Sequence, residues 1–253
     1  MFPYIEEPVL RVAGQQIGAF QILVFAAVIA GYGIVVRRSA RRGWERDLVM
    51  SLLLWTIFLG FVGSHVFDTL LYEREALRRD PLVLLEVWGT MSSYGGLLGG
   101  VAGALWAMRR KKLSAQRMFE FMDIVAFAFP FAWIFGRTGC ALAHDHIGVP
   151  ATSFWAVNFP GGPRYDLGLL ELFFTLFISA LFVALDRRPR PTGFFIALFF
   201  ALYGPARFAL DVLRVGDSRY FGWTPGQYAS IAAALSGAWL LQRTVRSVPA
   251  RPC

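Results

Sequence analysis

The residues best suited to chemistry are concentrated in Gly136–Gly148, which reads GRTGCALAHDHIG. An arginine, a cysteine, two histidines and an aspartate follow an apolar run there without any polar spacer. The guanidinium of Arg137 is a fixed fork of donors that suits phosphate oxygens. An arginine beside an apolar segment is costly unless it is paired, hydrated or functional. The alternative is that Arg137 lies at a helix end and extends to the interface, or pairs with an acid.

A second group of charges lies inside another apolar run, in ALYGPARFALDVLR. Asp211 and Arg214 follow Arg207 by four and seven residues, which places all three on one face of a helix. One interpretation is that Arg207 and Asp211 form a local ion pair and have no other role. However, two arginines and an acid along a spanning helix favour a face that lines a polar cavity. We therefore predict that Arg207 and Arg137 converge in one cavity. Glu171 is a candidate partner for one of them, since buried charges need partners.

Two further side chains are weaker candidates. His65, in FLGFVGSHVFD, has two possible roles. The favoured one is that of a hydrogen-bonded packing residue whose ring Asp68 can orient, and the alternative is that of a catalytic base. For Cys140 the favoured interpretation is a buried, inert thiol. It becomes a nucleophile only if Arg137 or a histidine favours its thiolate.

The run His144-Asp145-His146 suggests a metal site. The spacing of its histidines is that of alternate residues on a strand, and zinc would need one or two more ligands. The sequence has no further cluster of histidine or cysteine that supplies them. We therefore predict that no metal binds.

These residues must be positioned by membrane-spanning helices. The chain has 253 residues, of which 56% are hydrophobic and 17% charged, more apolar surface than a soluble domain of this length hides. Apolar runs of roughly 18 residues or more indicate spans. The sequence predicts an all-α membrane protein with a single integral membrane domain over residues 1–253. Its seven spans lie at about 17–36, 48–71, 92–108, 118–135, 167–185, 192–213 and 225–241.

The distribution of Lys and Arg predicts the orientation of these spans. Most of the 25 basic residues lie in alternate short loops and in the tail, so we place the N-terminus outside and the C-terminus in the cytoplasm. Nearly all candidate site residues then face the non-cytoplasmic side, and Cys140 and Cys253 lie on opposite sides without pairing. The net charge of +8 follows from this topology, so we expect no nucleic-acid partner. The N-terminal residues lack the basic region and the short apolar region with a cleavage site that are typical of a signal peptide, so we expect that they are not one.

Five segments, in order, resemble motifs of the prolipoprotein diacylglyceryl transferases, membrane enzymes of bacterial lipoprotein maturation. VWGTMSSYGGLLGG is similar to the family's glycine-rich third helix, and PFAWIFGRTGCALAHDHIG to its signature. PRYDLGLLE resembles the family segment that contains a glutamate, and YGPARFALDVLR resembles the family's arginine-bearing sixth helix. PGQYASI is similar to the family's Gly-Gln motif. The matching positions are Arg137, Gly139, Gly148, Glu171 and Arg207, with acids at Asp145 and Asp211.

The chain departs from the family pattern at three places. Tyr94 stands where the typical enzyme has histidine, and Cys140 where it has asparagine. The family also has a tyrosine near the N-terminus, and this chain has only Ile17 or Phe20 near that position. Either His65 or His144 replaces the lost imidazole, or the chain is a divergent paralogue with another lipid-linked substrate.

The resemblance implies transfer of diacylglyceryl from phosphatidylglycerol to the cysteine thiol of a prolipoprotein lipobox, with glycerol phosphate leaving. It implies a multi-pass protein of the bacterial inner membrane, in contact with membrane lipids and active on the outer face, without metal or organic cofactor. The alternatives are another lipid or acyl transferase, including one that acts through Cys140, and a non-enzymatic phospholipid-binding or transport protein.

Site roles follow from this reaction as hypotheses. Arg137 and Arg207 hold the phosphate, with Arg214 or Arg164 at the headgroup entrance. His144 or His65 takes the thiol proton. Asp145 and Glu171 orient the basic groups, and glycines permit close approach of lipid. The remaining predicted substrate-binding residues are Tyr94, Gly95, Gly96, Gly139, Cys140, Gly148 and Asp211.

Overall fold

The computed structural model describes residues 1–12, 15–85 and 91–246. Within these residues lie eight α-helices, a short 3-10 helix and six short strands. The helices are α1 (Ala19–Arg41), α2 (Arg46–Leu71), α3 (Arg74–Arg79), α4 (Ser93–Arg110), α5 (Ala115–Ala143), α6 (Leu167–Asp186), α7 (Phe194–Val212) and α8 (Pro225–Arg246), and the 3-10 helix is Pro81–Leu85. Cys253 and residues 87–90 of the glycine-rich motif lie outside the described residues.

The chain divides into two compact units. The first contains the described residues of Met1–Ile34, Val125–Gly216 and Ser230–Cys253, and the second those of Val35–Ile124 and Asp217–Ala229. Arg137 and Arg207 belong to the first unit, whereas His65 and Tyr94 belong to the second.

Among the helices of the described residues, five are long and apolar enough to cross a membrane, namely α1, α2, α5, α6 and α7. Their large apolar side chains face outward, with Phe25, Leu54 and Phe177 all more than half exposed. Charged groups such as Arg137 and Arg207 are buried instead. An apolar exterior around a polar interior is the arrangement that a lipid environment favours. The protein is therefore a multi-pass, mostly helical membrane protein.

Each predicted span overlaps one of the described helices, and the helices have bounds of their own. Helix α5, for example, continues past residue 135, where the fourth predicted span ends, to Ala143, and so includes Arg137 and Cys140. The polar side chains of this last part have partners within the protein, so the helix does not have to end where the apolar run ends. The third and seventh segments correspond to α4 and α8.

Helices α2 and α4 pack too closely to leave room for a Cβ atom at Gly95. A Cβ atom added to Gly95 would lie 2.4 Å from Cβ of Phe67 and 2.5 Å from the carbonyl oxygen of Gly63. The Oγ of Ser64 also donates to the carbonyl oxygen of Ser92, at 2.8 Å. The glycines of YGGLLGG are thus explained by helix packing of the small-residue type.

Helices α7 and α8 make a second close contact, within the first unit. A Cβ atom added to Gly237 would lie 2.3 Å from the backbone nitrogen of Ala201, and one added to Gly204 would lie 2.6 Å from the carbonyl oxygen of Ser230. Helix α7 runs without a break through Pro205.

A small sheet forms between α5 and α6. Strands β4 (Ile147–Pro150), β5 (Ala156–Phe159) and β6 (Gly162–Asp166) pair antiparallel, and β1 (Phe2–Pro3) pairs parallel with β5, giving the order β1-β5-β6-β4. Strands β2 (Val9–Val12) and β3 (Gln15–Gly18) form a separate antiparallel pair just before α1. The four-stranded sheet brings the start of the chain next to the end of α5.

Candidate active site

Arg137 lies in α5 and is 3% exposed. Its guanidinium carbon lies 4.5 Å from the ring centroid of Trp133, one helical turn earlier, in a cation–π contact. Its Nη1 donates to Sγ of Cys140 at 3.4 Å. The aromatic ring and the sulfur hold the guanidinium plane in the protein interior.

Glu171, in the first turns of α6, is the centre of the cluster. Its Oε1 lies 3.2 Å from Nε of Arg137, and its Oε2 accepts from Nη1 of Arg207 at 2.9 Å. Oε1 also accepts from the hydroxyl of Tyr203 at 2.8 Å and from Nε1 of Trp133 at 3.2 Å. The carboxylate is 1% exposed. The prediction that Glu171 pairs with an arginine is confirmed, and the structure adds that it pairs with two.

Arg207 connects Glu171 to a second carboxylate on α7. Its Nη2 lies 2.9 Å from Oδ1 of Asp211, four residues further along the helix, and Asp211 is fully buried. The predicted local ion pair is therefore present. Nη1 of Arg214 lies 4.0 Å from the same oxygen, with a side chain that is 21% exposed. The ion pairs extend in this way from the buried Glu171 to the partly exposed Arg214.

The two most buried arginines of this cluster, Arg137 and Arg207, share one acid, Glu171. Buried ions are tolerated only when pairing and hydrogen bonds offset their desolvation. A protein that needed only stability could fill this space with apolar side chains. The cluster is therefore a candidate site for an anion.

His144 terminates α5 in the left-handed region, with φ of 51°. Its Nε2 donates to the carbonyl oxygen of Ile5 at 3.0 Å, and its Nδ1 lies 2.5 Å from Oδ2 of Asp166. The ring of Tyr4 stacks on it with centroids 4.7 Å apart. Both ring nitrogens thus have partners, and His144 ties the start of the chain to β6. Action as a base would require one of these contacts to open.

Asp166 contributes to this link as the N-cap of α6. Its Oδ1 accepts from the backbone nitrogen of Leu169 at 3.0 Å. Burial raises the pKa of Asp166, and the hydrogen bonds from His144 and Leu169 offset only part of that rise.

Asp145 and His146 hydrogen-bond each other and lie close to Cys140. Burial raises the pKa of Asp145, but the hydrogen bond and charge of His146, together with the charge of Arg137, outweigh it and hold the pKa below its ordinary value. His144 and His146 do not lie on a strand. Helix α5 ends at Ala143 and β4 begins only at Ile147.

The remaining predicted residues of this unit support the backbone around the cluster. A Cβ atom added to Gly139 would lie 3.0 Å from the ring of Phe20, and one added to Gly148 would lie 2.9 Å from the carbonyl oxygen of Leu213. Nε of Arg164 donates to the carbonyl oxygen of Gly148 at 2.9 Å. Close packing explains both glycines, and the lipid contacts predicted for them stay predictions.

Four predicted residues lie in the second unit. His65 is 1% exposed, and its Nε2 donates to the carbonyl oxygen of Val83 at 2.9 Å. Tyr94 is buried on α4, and the neighbouring Gly95 and Gly96 face α2. The roles predicted for these four residues in binding or catalysis stay predictions.

Sequence reasoning missed two members of the cluster. Tyr203 lies four residues before Arg207, and Trp133 four residues before Arg137, so each shares a helix face with an arginine. That spacing was a usable signal, because both residues carry a donor that needs a partner when it is buried.

The fold and the cluster define a class of protein: a multi-pass helical membrane protein whose interior holds two arginines against one glutamate. Comparison with known proteins makes the class specific, and the chain belongs to the prolipoprotein diacylglyceryl transferase family. The sequence profile of that family matches residues 8–243. The resemblance that the motifs predicted is confirmed.

Curated relatives cover nearly the whole chain. A phosphatidylglycerol–prolipoprotein diacylglyceryl transferase of Pseudomonas putida is 31% identical over 270 residues, which cover 98% of this chain and 99% of the relative. One from Nitratidesulfovibrio vulgaris is 32% identical over 257 residues, covering 96% and 95%. One from Pseudomonas aeruginosa is 29% identical over 265 residues, covering 99% and 98%.

Proposed function

We infer that this chain transfers diacylglyceryl from phosphatidylglycerol to the cysteine thiol of a prolipoprotein lipobox. Family membership over most of the chain supports this reaction, and the relatives carry that activity in their names. The observation that carries the proposal is the convergence of Arg137 and Arg207 on Glu171. Two guanidiniums from different helices, fixed by one carboxylate, form a rigid receptor for a phosphate.

The donors of the cluster suit this substrate. The phosphate of phosphatidylglycerol carries one negative charge, and planar guanidinium groups such as those of Arg137 and Arg207 bind phosphate oxygens through paired donors. Within a site that excludes water, such fixed donors stabilise charge more strongly than in bulk solvent. Arg164, on β6, is proposed to lie at the headgroup entrance with Arg214.

The reaction can be written from these residues. The acceptor thiol loses its proton to water, and its sulfur attacks the glyceryl carbon as a thiolate. A C–S bond forms, and the C–O bond to the phosphate breaks. The electron pair of that bond stays on the phosphate oxygen, so glycerol phosphate leaves with two negative charges. Arg137 and Arg207 stabilise the charge that develops there. Glu171 acts through them as a positioning residue.

We propose seven spans in one membrane domain, with the N-terminus outside and the C-terminus in the cytoplasm. Helices α4 and α8 would supply the two spans beyond the five most apolar ones, and their close packing on α2 and α7 supports that placement. The basic loops support the orientation. The cluster would then open toward the outer face of a bacterial inner membrane, where lipoprotein precursors are exposed.

Incubation of the purified protein with phosphatidylglycerol labelled in its acyl chains and a lipobox peptide tests the reaction. We expect the label to move to the cysteine peptide, with release of glycerol phosphate, and no label on a peptide with serine in its place. Unmodified cysteine peptide, with intact lipid binding, would instead identify a lipid-binding protein. Label retained on the protein itself and lost in Cys140→Ser would identify acyl transfer through that thiol.

A further inference from the structure

A groove of about 420 Å³ lies at the C-terminal end of α4, within the second unit. Five residues line it: Ala102, Leu105, Trp106, Arg109 and Arg110. Its volume falls in the range of roughly 300–1,000 Å³ that is typical of small-molecule sites. The lining is apolar at one end and cationic at the other, so it complements an amphiphilic ligand with a negative charge.

Helical spacing produces this arrangement. One face of α4 carries a stripe of residues at intervals of three or four, namely Leu98, Ala102, Leu105 and Arg109. Leu98, Ala102 and Arg109 are exposed and Leu105 is half-buried. Gly103 lies on a different face, where an added Cβ atom would lie 2.4 Å from a backbone carbonyl oxygen of α2. One side of α4 therefore packs on α2, and the stripe is left open to the surroundings of the protein.

The length of the stripe matches one leaflet of a bilayer. Arg109 follows Leu98 by eleven residues. At about 1.5 Å per residue, the stripe is about 16 Å long. Half of a hydrocarbon core of about 30 Å is about 15 Å. With α4 as one of the proposed spans, a lipid whose headgroup lies at the arginines would have its acyl chain along the stripe as far as the middle of the bilayer.

The headgroup end of the groove is held in place by aromatic contacts. The guanidinium carbon of Arg110 lies 5.4 Å from the ring centroid of Trp106. Trp106 packs edge-on against Trp55 of α2, with ring centroids 4.4 Å apart. A guanidinium stacked on a ring keeps its donors available for phosphate oxygens. Within the parts of the chain that the structure describes, neither Arg109 nor Arg110 has an acidic partner.

Membrane topology alone also places basic residues at the cytoplasmic end of a helix. Lys111 and Lys112 fit that explanation, because α4 ends at Arg110 and Lys112 has a left-handed backbone with φ of 52°. Arg109 and Arg110 differ from them, since they belong to the helix and line the groove. Their two positive charges outweigh the roughly half negative charge of the helix C-terminus.

We propose that this groove binds one phospholipid that has an anionic phosphate and no cationic group, the chemistry of phosphatidylglycerol. In the proposed orientation the lipid belongs to the cytoplasmic leaflet, so this site is separate from the donor site and its lipid is not consumed. Arg109 and Arg110 donate to the phosphate, and the acyl chain packs along the apolar stripe. A zwitterionic lipid binds less tightly, because its own cation competes for the phosphate. The inference rests on the proposed placement of α4 as a span and not on the transfer reaction.

Native mass spectrometry of the delipidated full chain in detergent tests the site. With phosphatidylglycerol, the wild type should bind one lipid more per chain than the double variant Arg109→Gln/Arg110→Gln, whose affinity at this site should fall about tenfold or more. Lys111→Gln/Lys112→Gln is the matched control, because it removes the same charge outside the groove and should bind as the wild type does. Phosphatidylethanolamine with the same acyl chains should bind this site about tenfold more weakly. Equal losses in the two double variants, or equal binding of the two lipids by the wild type, overturn the proposal.

Ala102→Trp tests the groove without a change of charge. The added ring fills the space beside Leu105 and points outward from an exposed position, so we expect the protein to fold. Affinity for phosphatidylglycerol should fall about tenfold, and the lipid should raise the melting temperature less than it does in the wild type. Ala180→Trp, at an exposed position of α6, is the control and should behave as the wild type. Wild-type lipid binding by Ala102→Trp overturns the groove as the site.

The transfer assay separates this proposal from the proposed function. At saturating phosphatidylglycerol, Arg109→Gln/Arg110→Gln should transfer at the wild-type rate, and loss of transfer would overturn the separation from the donor site. Normal transfer by the wild type, together with equal lipid binding by both double variants, would remove the lipid site and leave the transferase standing. Selective lipid binding at the groove by a protein that transfers nothing would remove the transferase and leave the lipid site.

Discussion

Arg137 and Arg207, on two different helices, contact opposite oxygens of the Glu171 carboxylate, at 3.2 and 2.9 Å. Each arginine is thereby fixed by the position of the other. This relationship has two consequences: the three residues act as a unit, and each substitution should affect both the stability and the chemistry of the site.

Glu171→Gln removes the shared negative charge and leaves two buried guanidiniums. Breaking a buried ion pair on one side costs about 3–5 kcal/mol. We expect a melting temperature in detergent well below that of the wild type and no measurable transfer. Glu75→Gln is the matched control, because its ion pair with Arg79 is more than 80% exposed. Wild-type melting of Glu171→Gln would show that the cluster contributes nothing to folding.

Arg137→Lys and Arg207→Lys test whether the two guanidiniums act together. Lysine keeps the charge but loses the planar fork that satisfies a carboxylate and a phosphate at once. We expect each variant to lose transfer by about a hundredfold or more, the effect of removing one donor from an oxyanion site. Because the two arginines share Glu171, the loss of transfer activity in the double variant should be much smaller than the product of the two single losses. Independent, multiplying effects would argue against a shared receptor. Arg79→Lys, with an exposed side chain, serves as the control.

His144→Gln distinguishes positioning from proton transfer. The structure gives this ring contacts with Asp166, Ile5 and Tyr4. Loss of two hydrogen bonds and a stacked ring predicts a lower melting temperature, with part of the transfer activity retained. The pH profile of kcat should keep its wild-type shape. Normal melting together with complete loss of transfer would identify His144 as the catalytic base instead.

Gly95→Ala tests the explanation of the glycine motif by helix packing. The added methyl group would overlap both Phe67 and Gly63 on α2, at distances that real Cβ atoms do not reach. We expect poor folding, measured as a loss of monodisperse protein in detergent. Gly33→Ala on α1 is the matched control, since no atom lies within 4 Å of its added Cβ. There the exchange should stabilise the helix by up to about 1 kcal/mol. Equal behaviour of the two variants would contradict the packing explanation.

Much of this architecture could be predicted from the sequence, because hydropathy and helical spacing are local properties. They place the helices, the Arg207–Asp211 pair and the need for a partner of Arg137. The end of α5 could not be predicted in this way, since its polar part is stabilised by contacts with Glu171 and Phe20 from distant segments. The approach of Cys140 to His146 was also missed, because it depends on the left-handed conformation of His144, which no periodicity reveals.

Growth of a bacterium depleted of its own diacylglyceryl transferase tests the central claim most directly. Expression of this chain should restore growth and lipidation of a reporter prolipoprotein, and Arg137→Lys or Arg207→Lys at equal membrane levels should not. Failure of the wild-type chain to lipidate the reporter, with the protein present in the membrane and able to bind phosphatidylglycerol, would contradict the account.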